Sequence, residues 1–337
     1  AISVVVVGAL LAATTGVVGA TVVTMGIIAL PVMLRHHYDP RLACGTIAAS
    51  GTLGQIIPPS IILVLLGDVI GVPVGQLFAG AFVPGLLLVV AFIVFILIYA
   101  LRNPESAPPV PADSDTYLFR KMASSLFPPL ILIMAVLGSI FFGIASPTES
   151  AAVGALGAAL LATLKKRLTL KKIRLAAEET TRLTSMVFMI LIGATAFGLV
   201  FRGLGGDHLV ADLFHGLPGG EWGFLILAML LIFVLGFFLD FLEITFIVVP
   251  ILAPIAQSMG IDLLWFAVLI AMNLQTSFLT PPFGFSLFYL KAVAPPEIRI
   301  QQIYRGILPF ILLQLGVLAL IIAFPGITTW LPGLMSD

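Results

Sequence analysis

The sequence predicts an all-α polytopic membrane protein, arranged as an inverted repeat of a re-entrant helical hairpin followed by a broken helix. Three observations carry this. Of 337 residues, 60% are hydrophobic and 9% charged, with a mean hydropathy of +1.20, whereas about a quarter of a soluble domain is charged. The apolar runs are long and continuous, not alternating strands of ten. In lipid only helices and closed barrels satisfy the backbone, so these spans are helices. Finally, landmarks recur at one offset: adding 223 carries Pro31 onto Pro254, Asp39 onto Asp262, Pro58 onto Pro281 and Pro59 onto Pro282.

Taken in order, the stretch 3–34 is long enough for one steep helix, but Thr14, Thr15, Gly16 and Gly19 interrupt it, and it reads as a hairpin. Stretch 223–258 reads likewise, interrupted by FLDFLEIT. Stretches 42–68 and 263–290 each carry a Pro-Pro pair at mid-depth, in GTLGQIIPPS and LQTSFLTPPFG. Proline removes a donor and clashes with the preceding turn, so these are discontinuous helices. Ordinary spans are expected at 79–101, 128–143, 148–164, 183–203 and 305–325. Residues 117–126 and 167–182 mix basic and apolar positions at helical spacing and are expected to lie along the cytoplasmic surface. The Pro-rich segment 103–115 reads as a solvent loop joining the halves. The chain opens inside an apolar run with no basic region before it. It does not read as a signal peptide, and the natural protein is expected to continue upstream.

Basic residues set the orientation. With the first hairpin opening to the cytoplasm, residues 35–41, 102–127, 164–182 and 291–304, with Arg305 at the adjoining boundary, hold 15 of the 16 Lys and Arg. Only Arg202 falls outside, in agreement with the positive-inside rule. The agreement requires each hairpin to count as two crossings of half the membrane. The second hairpin then opens to the opposite side and the repeat is inverted, the recurrent plan of secondary transporters, where broken helices meet near the midplane.

The run GTLGQIIPPSIILVLLG after ALPVML and YDP, and the later LGFFLDFLEITFIVVPILAPI and NLQTSFLTPPFGFSLFYL, resemble the large membrane subunit of tripartite ATP-independent periplasmic (TRAP) transporters along nearly the whole chain. The resemblance implies a sodium-coupled elevator transporter of the ion-transporter superfamily with transport and scaffold domains. It implies two partners, a small membrane subunit and a periplasmic substrate-binding protein, in a bacterial inner membrane. It further implies that scaffold helices normally precede the first hairpin. On this reading residues 1–70 and 223–290 are the two transport units. Residues 71–101 are a scaffold or connecting span, 102–127 a cytoplasmic linker with an interfacial helix, and 128–203 scaffold spans with another. Residues 204–222 form a periplasmic loop, and 291–337 an interfacial helix and the last scaffold span.

Two cation sites are expected. The first pairs the hairpin turn Thr14, Thr15 and Gly16 with the break at Gly51, Thr52 and Gly54: a broken helix frees carbonyls that sodium accepts, and hydroxyls add to them. The plain alternative is that these small residues only permit close packing. The second joins Asp240 to Thr276 and Ser277. A carboxylate at membrane depth costs at least ~2.5–3.5 kcal/mol, so it faces a partner or an aqueous cavity. Asp240 also matches the acid of the family's LGxFLD pattern, which implies a sodium role; a helix cap is the alternative. Glu243 either caps this hairpin or lines the pathway. For an organic anion, helix N-termini supply donors without charged side chains. The segments around Gln55, Pro58 and Ser60 and around Thr280 and Pro281 would aim them at the midplane, where no arginine lies. Gln55 serves either substrate or an interhelical hydrogen bond.

Other chemistry is argued against. Sixteen basic and sixteen acidic residues leave no basic field for nucleic acid. The lone Cys44 excludes an internal disulfide. The four histidines, His36, His37, His208 and His215, lack metal-ligand spacing. No GxxxxGK[ST], HExxH, GxSG or GxGD occurs, and Asp240 has no second mid-depth aspartate, which speaks against an ATP-driven mechanism and an intramembrane protease. No cofactor is implied beyond sodium as coupling ion. The expected function is import of a small organic acid. A stand-alone symporter of the same superfamily is the alternative, and a channel a more distant one.

Overall fold

The computed structural model describes residues 1–108, 116–216, 218–282 and 284–335, the side chains of 116–126 and His215 excepted. No strand occurs among them. The expectations for the linker at 109–115 and for the side chains of the 117–126 segment lie outside the described residues.

The first repeat opens with α1 (Ile2–Thr15) and α2 (Val18–Arg35), joined by Gly16 and an extended Val17. Gly16 has φ +61°, a conformation that a Cβ disfavours, and its N–H closes the last turn on Ala12 O at 2.9 Å. α3 (Pro40–Thr52) starts on Asp39, whose carboxylate accepts from Arg41 N at 2.7 Å. It ends in a 3-10 turn, Leu53–Gln55, and α4 (Ile61–Ile70) resumes after the prolines. Pro58 and Pro59 lack the N–H groups that the Gly54 and Gln55 carbonyls would otherwise receive.

α5 (Val74–Arg102), α6 (Thr116–Phe141), α7 (Pro147–Leu164), α8 (Leu170–Gly203) and α9 (Gly206–His215) follow. The second repeat is α10 (Glu221–Leu235), a turn through Asp240, α11 (Phe241–Glu243), a π turn (Ile244–Val248) and α12 (Val249–Ser258). Then come α13 (Leu263–Leu279), a break at Pro281-Pro282 and α14 (Phe285–Val293). α15 (Ile300–Ala323) and α16 (Gly326–Gly333) close the chain. The π turn sits just before Pro250, whose missing N–H leaves the Phe246 carbonyl without its i+4 donor. The offset of 223 holds throughout. It lays α2 on residues 241–258, and it superposes the N-cap Asp39 on Asp262, which accepts from Trp265 N at 2.8 Å. Pro58-Pro59 and Pro281-Pro282 are both cis.

The repeats run in opposite directions, and α15 is the ruler. Going up α15, Gly306 abuts Arg41 and Gly45, and Gln314 bonds Thr52, so α3 runs parallel to it. Trp265 Nε1 donates to Ile321 O at 3.1 Å and Tyr304 Oη to Pro282 O at 3.2 Å, so α13 runs antiparallel to it. A Cβ at Gly45 would meet the Gly306 carbonyl, and one at Gly306 the Arg41 carbonyl. Only glycine lets these backbones approach so closely.

Both broken helices form the core: residues 42–52 and 265–279 are buried without exception. Each second half-helix leans on the other repeat. α14 packs on α2, with Tyr289 against Gly19 and Val293 against Gly26. α4 packs on the π turn and α12. α7 and α8 are exposed along almost their whole length, with only Ser150 and Ala194 buried.

Several expectations are corrected. Residues 117–126 and 167–182 are not separate interfacial helices; the backbone continues through them into α6 and α8. In α8 neither proline nor glycine intervenes between Leu170 and Arg182, and Ala176, Ala177, Glu178 and Glu179 favour helix. Its 34 residues reach about 51 Å, well beyond a ~30 Å hydrocarbon core. Residues 204–222 contain α9, which carries His208, so they are no plain loop. Within 291–304 no independent interfacial helix forms: Pro295-Pro296 stops α14, and α15 starts at Ile300. α16 had no counterpart in the sequence reading. The hairpin arms, with 14 and 18 residues in the first repeat, are longer than half a membrane, so they must tilt or emerge from it.

Candidate functional site

Each hairpin tip meets the break of its own repeat. In the first, a Cβ on Gly16 would lie 3.2 Å from Ile61, the first residue of α4, and one on Gly54 2.8 Å from Ala12 O. Gly51 abuts Val22. Thr14 and Thr15 both donate to Leu11 O, at 2.7 and 3.0 Å, and the Thr15 and Thr21 hydroxyls are 2.7 Å apart, pinning the two arms together. Thr52 donates to Ala49 O at 2.9 Å. Hydroxyls committed as donors to their own helix retain lone pairs for a cation. Thr14 and Pro59 line a cavity of about 570 Å³ between this hairpin and α6–α7. The structure thus brings Gly16, Gly51 and Gly54 into the contact between tip and break, whereas Thr14 and Thr15 are exposed and the buried Thr52 hydroxyl faces Ala49 and Gln314 instead of the tip.

Past this break Ser60 caps α4. Its hydroxyl donates to Gln55 O at 2.6 Å and accepts from Leu63 N at 3.5 Å. Pro58 is buried beside it. Gln55 is buried with neither end of its amide partnered. The interhelical hydrogen bond proposed as its alternative role is therefore absent.

In the second repeat Gly236, at the start of the tip, abuts the Ser277 hydroxyl. Asp240 is the N-cap of α11, its Oδ1 accepting from Phe241 N at 2.8 Å. The cap reading is thereby realised, and the second carboxylate oxygen is left over. Glu243, one turn on, has a buried Oε2 with no partner. Thr276 donates to Met272 O, Ser277 to Leu274 O and Thr280 to Thr276 O, at 2.9, 2.8 and 2.7 Å. Phe278 makes edge contacts with Phe241 and Phe285, tying tip, broken helix and half-helix together. α14 begins after Pro281-Pro282 on Gly284, which has no capping side chain, so its first N–H groups are free of one.

Sequence reasoning missed several buried polar residues. Asn273 donates to Met229 O at 2.6 Å and fastens α13 to α10. Gln275 is fully buried with both amide ends unpartnered, and Gln314 reaches Thr52 from α15. Their signal was a polar residue inside an apolar run, visible in NLQTSFLTPP and in ILLQLGV.

A family model described as "Tripartite ATP-independent periplasmic transporter, DctM component" matches residues 1–327. The sialic acid TRAP transporter large permease protein SiaM of Vibrio cholerae is 32% identical over 311 residues, covering 92% of this chain and 72% of that protein. The C4-dicarboxylate TRAP transporter large permease protein DctM of Pseudomonas aeruginosa is 31% identical over 324 residues, covering 96% and 75%. The sialic acid TRAP transporter permease protein SiaT of Haemophilus influenzae is 31% identical over 315 residues, covering 92% and 50%. The chain thus spans half to three quarters of the length of these relatives. They are permeases and not enzymes, which sets the intramembrane protease aside. Among the described residues six helices are long and apolar enough to cross a membrane. With a family match along almost all of its length, this multi-pass membrane chain belongs to the DctM component of the tripartite ATP-independent periplasmic transporters.

Proposed function

We propose that the chain is the large permease subunit of a sodium-coupled importer of a small organic acid. It works with a small membrane subunit and a periplasmic substrate-binding protein in a bacterial inner membrane. One observation carries the reading: two hairpin and broken-helix units of opposite direction converge on α15, each bringing a tip to a break. Such a junction offers neutral oxygens and free backbone groups to a cation, and helix N-termini to an anion. Sialic acid and C4-dicarboxylates, named for two of the relatives, are carboxylates.

In place of the scaffold role expected for 71–101 and 291–337, α5, α15 and α16 are assigned, by their packing, to the moving body with the hairpins and broken helices, and α6–α8 to its frame. The seams between them are loosely filled, which favours this division. A cavity of about 700 Å³ separates α8 and α9 from α12, and the one of about 570 Å³ separates α6–α7 from the first hairpin. Sodium at both breaks orders the tips around the substrate before the body moves.

The test is uptake into proteoliposomes holding the full-length permease and its small subunit. Uptake of a panel of organic acids should require both an inward sodium gradient and the added binding protein. Sodium-driven uptake without any binding protein would support the stand-alone symporter instead, and uptake indifferent to sodium would remove the coupling.

A further inference from the structure

Gln314 interrupts an otherwise apolar stretch of α15 and is fully buried. Its Nε2 lies 3.3 Å from Thr52 Oγ1, a residue 262 positions earlier. The polarity of this contact is fixed by chemistry. Thr52 has one proton and donates it to Ala49 O, so toward Gln314 it accepts, and one lone pair remains. The other end of the amide, Gln314 Oε1, is buried with no partner. Native interiors rarely leave such an acceptor unfilled, and lipid offers nothing to fill it.

The surroundings hold the amide in place. Two turns down, the Gly45 and Gly306 backbones touch; farther up, Trp265 is tied to Ile321 O. Gln275 comes close to the same height. Trp265 pairs with Ile321 and Pro282 with Tyr304 across antiparallel segments. Interpolating between those pairs brings Gln275 within about one helical turn of Gln314. The repeat offset carries Thr52 onto Gln275, whose amide is likewise buried and unpartnered. No carboxylate is among these groups. An all-neutral oxygen set suits a hard cation of low charge.

We propose that Gln314 belongs to the cation site at the first break, its Nε2 orienting the Thr52 hydroxyl and its Oε1 giving the bound sodium a further neutral oxygen. This rests on the sodium reading above and extends that site to a helix outside both hairpins and both broken helices. In its Thr52 role Gln314 is a positioning residue.

The experiment uses the full-length permease with its small subunit in nanodiscs. Thermal stability is followed as sodium replaces potassium at constant ionic strength, so no substrate is needed. In Gln314→Leu, which keeps the volume and removes both polar atoms, the sodium concentration for half-maximal stabilisation should rise about tenfold. Gln314→Glu keeps an oxygen and should stay within about threefold of wild type at high pH and weaken as pH falls and the carboxyl protonates. It also serves if the leucine variant does not fold. Wild-type half-saturation in Gln314→Leu, with a clear rise in Thr52→Ala, would overturn the role of Gln314 alone and leave the amide to a buried water. No preference for sodium over potassium in wild type would overturn the underlying site reading too.

Discussion

At the two breaks Thr52, Thr276 and Ser277 donate to carbonyls of their own helix, and this makes them tolerable in lipid while leaving lone pairs to offer. Asp240 differs because it carries charge. One carboxylate oxygen caps α11 and the other is left over, the oxygen that the proposed sodium site would use. Asp240→Asn preserves an oxygen for the cap and removes the charge, so the sodium concentration for half-maximal uptake should rise at least about tenfold, a change equivalent to about 1.4 kcal/mol. Unchanged sodium activation would deny it the role. Gly16 makes a separate prediction. Any Cβ there sits at φ +61° against Ile61, so Gly16→Ala should cost about 1 kcal/mol of stability, read as a lower unfolding temperature. Thr52, Ser277 and Asp240 were legible because each stands beside a proline pair or an acidic break. Asn273 and Gln314 were not, since their partners are 44 and 262 positions away and no local pattern announces such a distance.

Helix ends were the most readable elements. Asp39 and Asp262, each an acid directly before a helical run, cap their helices. So does Ser146, whose capping box closes with Glu149 Oε2 accepting from Ser146 N at 2.8 Å and Ser146 Oγ from Glu149 N at 3.3 Å. Asp262→Ala should lower stability by roughly 0.5–2 kcal/mol, with Asp262→Ser recovering most of it in the same melting measurement. Continuity was harder to read. A basic amphipathic stretch next to a span looks the same in sequence whether it lies on the surface or extends the helix, and in α8 nothing stops the helix. Spin labels along residues 170–182 should therefore show an exposure period of 3.6 residues continuous with that of the span. A change of phase near Arg182 would restore the surface helix. Glycine contacts between helices were hidden for another reason: Gly45 and Gly306 look like ordinary small residues until α3 and α15 are brought together.

For the whole molecule, the inverted repeat was legible from four landmarks at one offset, because prolines and caps mark geometry that the fold cannot shift. The division between body and frame was not, since α5 and α15 look like any other spans. Their packing on the broken helices is what puts them in the proposed body. If the body slides past the frame, a short crosslinker joining Gly198→Cys on α8 to Pro254→Cys on α12, across the cavity that both residues line, should reduce uptake at least about tenfold. The single-cysteine variants treated alike should retain it. The native Cys44 is buried and does not complicate the labelling. Full uptake in the crosslinked double variant would mean that these two helices travel together.

The tie between Thr52 and Gln314 also bears on how the protein is made. At ~5–20 residues per second, roughly 13–50 s separate synthesis of these two partners, which stand 262 positions apart. Throughout that wait the early threonine must sit in the bilayer unaided by its late companion, and its bond to Ala49 is what makes the delay survivable. A ribosome stalled before α15 emerges would hold a nascent chain with its first hairpin inserted and its first break still lacking one wall.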